Sequence, residues 1–298
     1  MGRVQFVLPV VLKRLSGQDQ NCPHCGASET VRVGTKYLIV QLRKCTQCEL
    51  LFRWPKDFAE DNRKFYSGLY REDNGVTTNL PSPVELAEMR QTKFAGTDRD
   101  ATERLALLKQ LKSSGRLLDY GASWGYTTWQ FAQAGYDVVG FEIDQDRAAY
   151  GRDNLGVPMI VEPAELAKLP EGSFDLIYTS HVLEHLPDLR QTFDLFHHLL
   201  RPGGVLAIYV PNATGIDRPE IFGRKKIFGF GEKHTMAFTV EFFERNLEAH
   251  GFTKVRVDTT PLAPLDQPRP LTKDLIGPLT DELLGSMELV AIAYKPDH

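Results

Sequence analysis

The 298-residue chain lacks any apolar run long enough to cross a bilayer. A membrane helix needs about 20 consecutive apolar residues, and the longest run near the start, residues 4–12, is interrupted by Pro9. Lys13-Arg14-Leu15 follows it where a secretory leader would need small residues. The expected location is therefore cytoplasmic, with that run packed on the body as a strand or helix. Nucleotide fingerprints are missing too: there is no G-x-x-x-x-G-K-[ST] phosphate loop, and no G-x-G-x-x-G, which weakens a dinucleotide reading. No dense basic run is present, and the formal charge is −4. With 42% hydrophobic and 25% charged residues, collagenous, disordered and membrane-embedded classes are disfavoured. The length suits one large α/β domain plus a small module, or two ordinary domains.

Cysteine is scarce and clustered. The only four are Cys22, Cys25, Cys45 and Cys48. They lie in a basic quarter: residues 1–70 hold 11 Lys and Arg against 6 Asp and Glu, leaving 24 against 33 for the rest. Cys22-Pro-His-Cys25 and Cys45-Thr-Gln-Cys48 are two C-x-x-C knuckles with 19 residues between them, the spacing of a four-thiolate zinc ribbon. Between them Thr30-Val-Arg-Val-Gly and Lys36-Tyr-Leu-Ile-Val-Gln-Leu read as a hairpin. So small a module lacks a core, so metal binding would supply its folding energy. A redox pair or disulfides fit less well, because the pattern is two knuckles and the expected compartment is reducing. A closed four-thiolate site makes Zn2+ structural. His24 is expected at the surface rather than as a fifth ligand. The cations Arg32, Lys36, Arg43, Lys44, Arg53 and Lys56 are scattered, which suits a solvated or packing face better than a phosphate track, although ribbons do bind nucleic acid.

Three divisions are expected: a ribbon over 18–56, an aromatic-rich linker over 57–83, and a main domain over 84–298. Residues 65–70, Phe-Tyr-Ser-Gly-Leu-Tyr, either lie over a ligand or pack as an apolar edge. Residues 84–111 read as a helix before the first strand. From Arg116 short apolar strands alternate with helical stretches, the pattern of a largely parallel sheet: 116–120, 137–141, 157–161, 174–178, 205–209 and a final 287–294. Gly121 and Gly125 punctuate the first strand-to-helix turn, and Glu142 ends the next strand 17 residues beyond Gly125, where a carboxylate can accept both hydroxyl protons of a ribose. A nucleoside ligand is implied.

Leu117-Leu-Asp119-Tyr-Gly121-Ala122-Ser123-Trp-Gly125, Glu142, the stretch from Phe174 through Ser180-His181-Val-Leu-Glu184-His185, and Leu200-Arg-Pro-Gly-Gly204 together resemble the class I S-adenosylmethionine-dependent methyltransferases, in particular a bacterial group with an N-terminal zinc ribbon. The resemblance implies an α/β fold: a seven-stranded Rossmann-like methyltransferase sheet with a small N-terminal β-rich zinc ribbon. It further implies that the Gly121 to Gly125 loop, with Ala122 and Ser123, holds the methionine part of S-adenosyl-L-methionine, and it counts Asp119 among the cofactor-binding residues. Glu142 would bind the ribose, Ile143 would flank the adenine, and Ser180 and His181 would line the methyl end. The family's usual acid at the adenine amine is replaced by Pro163, leaving Ala164 or Glu165 to serve.

Methyl transfer to a hydroxyl calls for a general base, and histidine is the usual choice near neutral pH. The candidates are His181, at a strand end, and His234, at the end of an expected lid over 212–235. His185 is expected to stabilise a helix start, and His197, His198 and His250 to be solvated or packed. Arg224-Lys225-Lys226 in the lid suits an anionic acceptor. The expected function is methyl transfer to a small molecule that could carry a phosphate, guessed to be a sugar, sugar nucleotide or related biosynthetic intermediate; the alternative is an RNA methyltransferase docked by its ribbon.

Overall fold

The computed structural model describes residues 10–57, 79–218, 234–259 and 288–298. The aromatic piece 65–70, the cationic triplet 224–226 and the proline-rich stretch 261–278 lie outside the described residues. The chain divides into two compact units. One comprises 1–63, 181–194 and 208–293; the other comprises 64–180, 195–207 and 294–298.

In the first unit the cysteine module builds antiparallel strands β1 (Thr30–Lys36), β2 (Val40–Cys45) and β3 (Leu51–Trp54). The expected hairpin is β1 and β2, its register slipping between Arg32 and Gly34. Sequence reading missed a further strand of this sheet. A segment far along the chain returns to it and pairs with β3, as described below.

In the second unit α1 (Pro83–Gln91) and α2 (Thr102–Leu111) replace the single helix expected over 84–111. Ser82 and Glu85 close a reciprocal capping box at the start of α1. The helix stops because Lys93, Phe94 and Gly96 take positive φ, which turns Phe94 inward to pack with Trp124, Trp129 and Leu86 in one buried cluster. Burying that ring offsets the helical turns lost. Next come β4 (Arg116–Tyr120), α3 (Tyr126–Gln133), β5 (Asp137–Phe141), α4 (Gln145–Tyr150), a π turn (Gly151–Leu155), β6 (Met159–Ile160), α5 (Pro163–Ala167) and β7 (Phe174–Ser180). β4 runs parallel to both β5 and β7, and β5 parallel to β6. Their apolar runs, such as Leu117-Leu118 and Leu176-Ile177, are covered on both faces, which is why they show no alternation.

A 3-10 turn (Leu183–His185), α6 (Leu189–Leu199), β8 (Leu200–Pro211), β9 (Met236–Ala237), α7 (Val240–Ala249), β10 (Thr253–Thr259) and β11 (Glu288–Tyr294) complete the described elements. The seven-stranded sheet has the order β10-β11-β8-β7-β4-β5-β6, and the small sheet β1-β2-β3-β9. The expected strand ends hold closely for β4 and β5, while β10 was not foreseen. Its sequence, Thr-Lys-Val-Arg-Val-Asp-Thr, alternates polar and apolar residues rather than forming a solid apolar run.

Phe94→Ala is expected to cost about 3–5 kcal/mol, the usual range for a buried ring cut to a methyl. A denaturant titration would show it, and an unchanged midpoint would mean the α1–α2 break is not anchored by this ring.

Candidate functional site

The second unit carries the glycine turn. β4 ends and the chain folds straight back on β5: Gly121 and Ala122 both donate their N–H to the Phe141 carbonyl, at 2.8 and 2.9 Å. Ser123 takes φ 51° and Gly125 φ 83°. A Cβ at Gly125 would stand 2.8 Å from a Val157 methyl, so the position needs glycine for space as well as for φ. Gly125 then opens α3 with no side-chain cap, leaving first-turn N–H groups for another acceptor.

Glu142 follows β5 directly and is buried. Oε2 accepts the Ser123 N–H at 3.0 Å and Oε1 the Asp144 N–H at 2.8 Å. Burial raises its pKa, opposed by these donors and by Arg147. A carboxylate offers about four acceptor positions, so two remain for vicinal hydroxyls. Ile143, beside it, is an exposed large apolar side chain at 43%. Ala164 and Glu165 lie exposed in the first turn of α5, and Ser180 ends β7 half-buried.

Asp119 is anchored within the chain. Its Oδ2 accepts both the Thr127 and Thr128 hydroxyls at 2.7 Å and the side chain is buried. Through Oδ2 the carboxylate ties β4 to α3. Burial pushes it up to about 6 against those two hydroxyls.

In the first unit Cys22 Sγ lies 3.5 Å from Cys48 Sγ, and Cys25 Sγ lies 3.5 Å from Cys45 Sγ. All four sulfurs fall within 4.8 Å of one another, and all are free thiols. Tetrahedral Zn–S bonds of about 2.3 Å place sulfurs roughly 3.8 Å apart, so the set fits such an ion. His24 corrects the expectation of a surface residue: it is buried, and its Nε2 meets Asn246 Oδ1 of α7 at 3.0 Å. The Asn246 amide in turn donates to the Cys48 carbonyl at 2.8 Å. The cysteine module thus shares its unit with α7. The strand missed by sequence, β9, pairs antiparallel with β3, and the Arg53 N–H donates to the Thr235 carbonyl at 2.8 Å. Its two residues were too short to signal a strand.

The same unit holds a cluster the sequence did not bring together. Glu184 is 1% exposed, and among the described residues neither carboxylate oxygen accepts a hydrogen bond. Three imidazoles surround Oε1: His181 Nδ1 at 3.4 Å, His185 Nε2 at 3.9 Å and His234 Nε2 at 4.0 Å. Burial works against its ionisation, but the imidazoles outweigh it and hold the carboxyl below its usual range. His181 Nε2 lies 2.6 Å from Glu288 Oε1; burial lowers its pKa, and the two carboxylates more than reverse that. His185, expected to stabilise a helix start, instead packs edge-on to His234 with ring centroids 4.8 Å apart. Thr235 fixes the two segments together, giving its N–H and hydroxyl to the Glu184 carbonyl at 3.0 and 3.2 Å.

Residues 88–257, more than half of the chain, match the family described as "Methyltransferase domain". The chain belongs to that family. Among curated relatives of this methyltransferase domain, 27-O-demethylrifamycin SV methyltransferase of Amycolatopsis mediterranei is 30% identical over 128 residues, covering 39% of this chain and 47% of the relative. Ubiquinone biosynthesis O-methyltransferase of Paramagnetospirillum magneticum is 30% identical over 139 residues, 45% of this chain and 53% of the relative. The chain spans about half the length of such relatives. A solved methyltransferase from Archaeoglobus fulgidus superposes with TM-score 0.47 at 20% identity, covering 72% of this chain and all of that one. Within the methyltransferase domain, the glycine turn and Glu142 occupy the carboxyl ends of β4 and β5, where parallel sheets hold small ligands.

Because Asp119 is more basic folded than its ordinary 3.8, the folded state binds its proton more tightly, and ligand-free stability falls as pH rises from about 4 to 6. Asp119→Asn is expected to remove that slope, worth on the order of 3 kcal/mol, in denaturant titrations at each pH. An equal slope in both proteins would refute the assignment.

Proposed function

We propose that this methyltransferase-domain protein moves the methyl group of S-adenosyl-L-methionine to a hydroxyl of a small-molecule acceptor. The observation that carries the reading is the Glu142 lock. A buried carboxylate holds the Ser123 N–H of the glycine turn, with acceptor positions to spare, beside the exposed Ile143. In this reading Glu142 takes the ribose hydroxyls, Ile143 flanks the adenine with Ala164 or Glu165 at its rim, and Gly121, Ala122, Ser123 and Gly125 offer backbone to the methionine end. Ser180 and His181 follow at the end of β7.

Transfer from a sulfonium is an in-line displacement. The acceptor O–H gives up its proton, the oxygen–carbon bond forms as the carbon–sulfur bond breaks, and S-adenosylhomocysteine leaves. Alignment supplies much of the rate. Of the two candidate bases His234 is favoured. Both ring nitrogens of His181 face carboxylates, Glu184 and Glu288, so His181 is assigned to positioning, and His234, with its Nε2 turned to Glu184, to the proton.

Curated relatives are named as O-methyltransferases of small molecules, which supports the acceptor class; the cationic triplet 224–226 supports a phosphorylated one such as a sugar nucleotide. Against an RNA acceptor, three of the ribbon's cations, Lys44, Arg53 and Lys56, are already paired with carboxylates. Lys44 pairs with Glu49 and Asp217, Arg53 with Asp57, and Lys56 with Asp19. Cations used internally release no counterions on a phosphate backbone. The four-cysteine set is assigned a structural Zn2+.

The test is transfer of labelled methyl from S-adenosylmethionine into a fractionated extract, with and without RNase. Label is expected in a low-mass fraction that RNase leaves intact; label only in an RNase-sensitive fraction would overturn the reading. His234→Ala is expected to lower kcat about 10²–10⁴-fold while cofactor affinity holds, and full turnover would remove the base.

A further inference from the structure

A carboxylate withdrawn from water normally receives two or more hydrogen bonds, and leaving it bare is among the costliest things a fold can do. Among the described residues, neither Glu184 oxygen accepts a hydrogen bond. Its imidazole neighbours stand at 3.4, 3.9 and 4.0 Å from Oε1, beyond the 2.7–3.2 Å of a hydrogen bond. Those separations are instead the ones expected of ligand atoms sharing an ion: bonds of about 2.0–2.2 Å from nitrogen and oxygen put neighbouring ligands roughly 3–4.2 Å apart. The ligand atoms of Glu184, His185 and His234 all lie within 4.8 Å of one another, and all three residues are buried.

We propose that Glu184, His185 and His234 form a binding site for one divalent first-row transition-metal ion, separate from the four-cysteine site. Two imidazoles and one carboxylate select a borderline ion such as Zn2+, Co2+ or Fe2+ over Mg2+ and Ca2+, which prefer all-oxygen shells. The three ligands are preorganised by the chain itself. Glu184 and His185 are neighbours in one 3-10 turn, and the Thr235 contacts to the Glu184 carbonyl hold His234 beside that turn. His181, between Glu184 and Glu288, is a positioning residue for the carboxylate. Three protein ligands leave coordination positions open, in contrast to the closed set of four thiols.

The site stands on this geometry alone; its use in catalysis rests on the function proposed above. With the ion bound, His234 is a ligand, and the ion takes over its task by lowering the pKa of an acceptor hydroxyl it holds. That proton then leaves to solvent, and the oxygen–carbon and carbon–sulfur bonds exchange as before.

The test titrates the full chain, its thiol site already loaded with Zn2+, with Co2+ alone. One further equivalent is expected, with weak visible bands and no thiolate charge-transfer absorption. Glu184→Gln is expected to weaken that binding at least 10-fold, and His234→Ala to do the same should the first variant fold poorly, with the zinc content of the thiol site as the folding control. No additional equivalent, or binding unchanged in both variants, overturns the inference. If methyl transfer persists in protein that takes up no second ion, the proposed function stands and the metal site falls. If a second ion binds but no methyl is transferred, the site stands and the function falls.

Discussion

Charge that is taken out of water must be answered by something, and among the described residues Glu184 is answered by imidazoles. That single requirement organises the first unit. The 3-10 turn that carries Glu184 receives the Thr235 N–H, which brings His234 in; the chain then continues as β9, which pairs with β3 of the cysteine module. The module is fastened a second time through Asn246, whose amide reaches the Cys48 carbonyl and whose oxygen meets His24. The cysteine module is thus part of the framework that holds a candidate catalytic histidine. Its role is read more economically as positioning than as docking of a polyanion, because Lys44, Arg53 and Lys56 are paired with carboxylates.

In the second unit the equivalent constraint is the carbonyl of Phe141. It accepts two successive N–H groups from the turn after β4, which fixes the turn against the end of β5, and Glu142 one residue later fixes Ser123. A turn held by three backbone donors needs no ligand to be ordered, so its remaining acceptor and donor positions can be spent on a cofactor without a large entropic cost.

Much of this was legible in the sequence because it was encoded locally. Strand ends at Tyr120 and Phe141, the glycine turn and the paired C-x-x-C knuckles each announce themselves within a dozen residues. What was illegible depends on distant partners. The break at Phe94 follows from a pocket built by Trp124 and Trp129. Asp119 reads like a ligand in its motif, and nothing there announces that it also anchors Thr127 and Thr128. His24 looks like a knuckle surface residue until α7 supplies Asn246. The Glu184 cluster joins residues some 50 positions apart, and no periodicity marks it; a Glu-His pair in one turn and a His beside a short buried segment were the only signals available.

On the reading proposed above, the glycine turn with Glu142 holds the cofactor and the Glu184 cluster serves a different task. Calorimetric binding of S-adenosylhomocysteine to the wild type, Glu142→Gln and Glu184→Gln separates the two. At least a 10-fold loss of affinity, about 1.4 kcal/mol or more, is expected in Glu142→Gln and none in Glu184→Gln. Equal affinity in all three proteins, or a loss confined to Glu184→Gln, would contradict that division of labour.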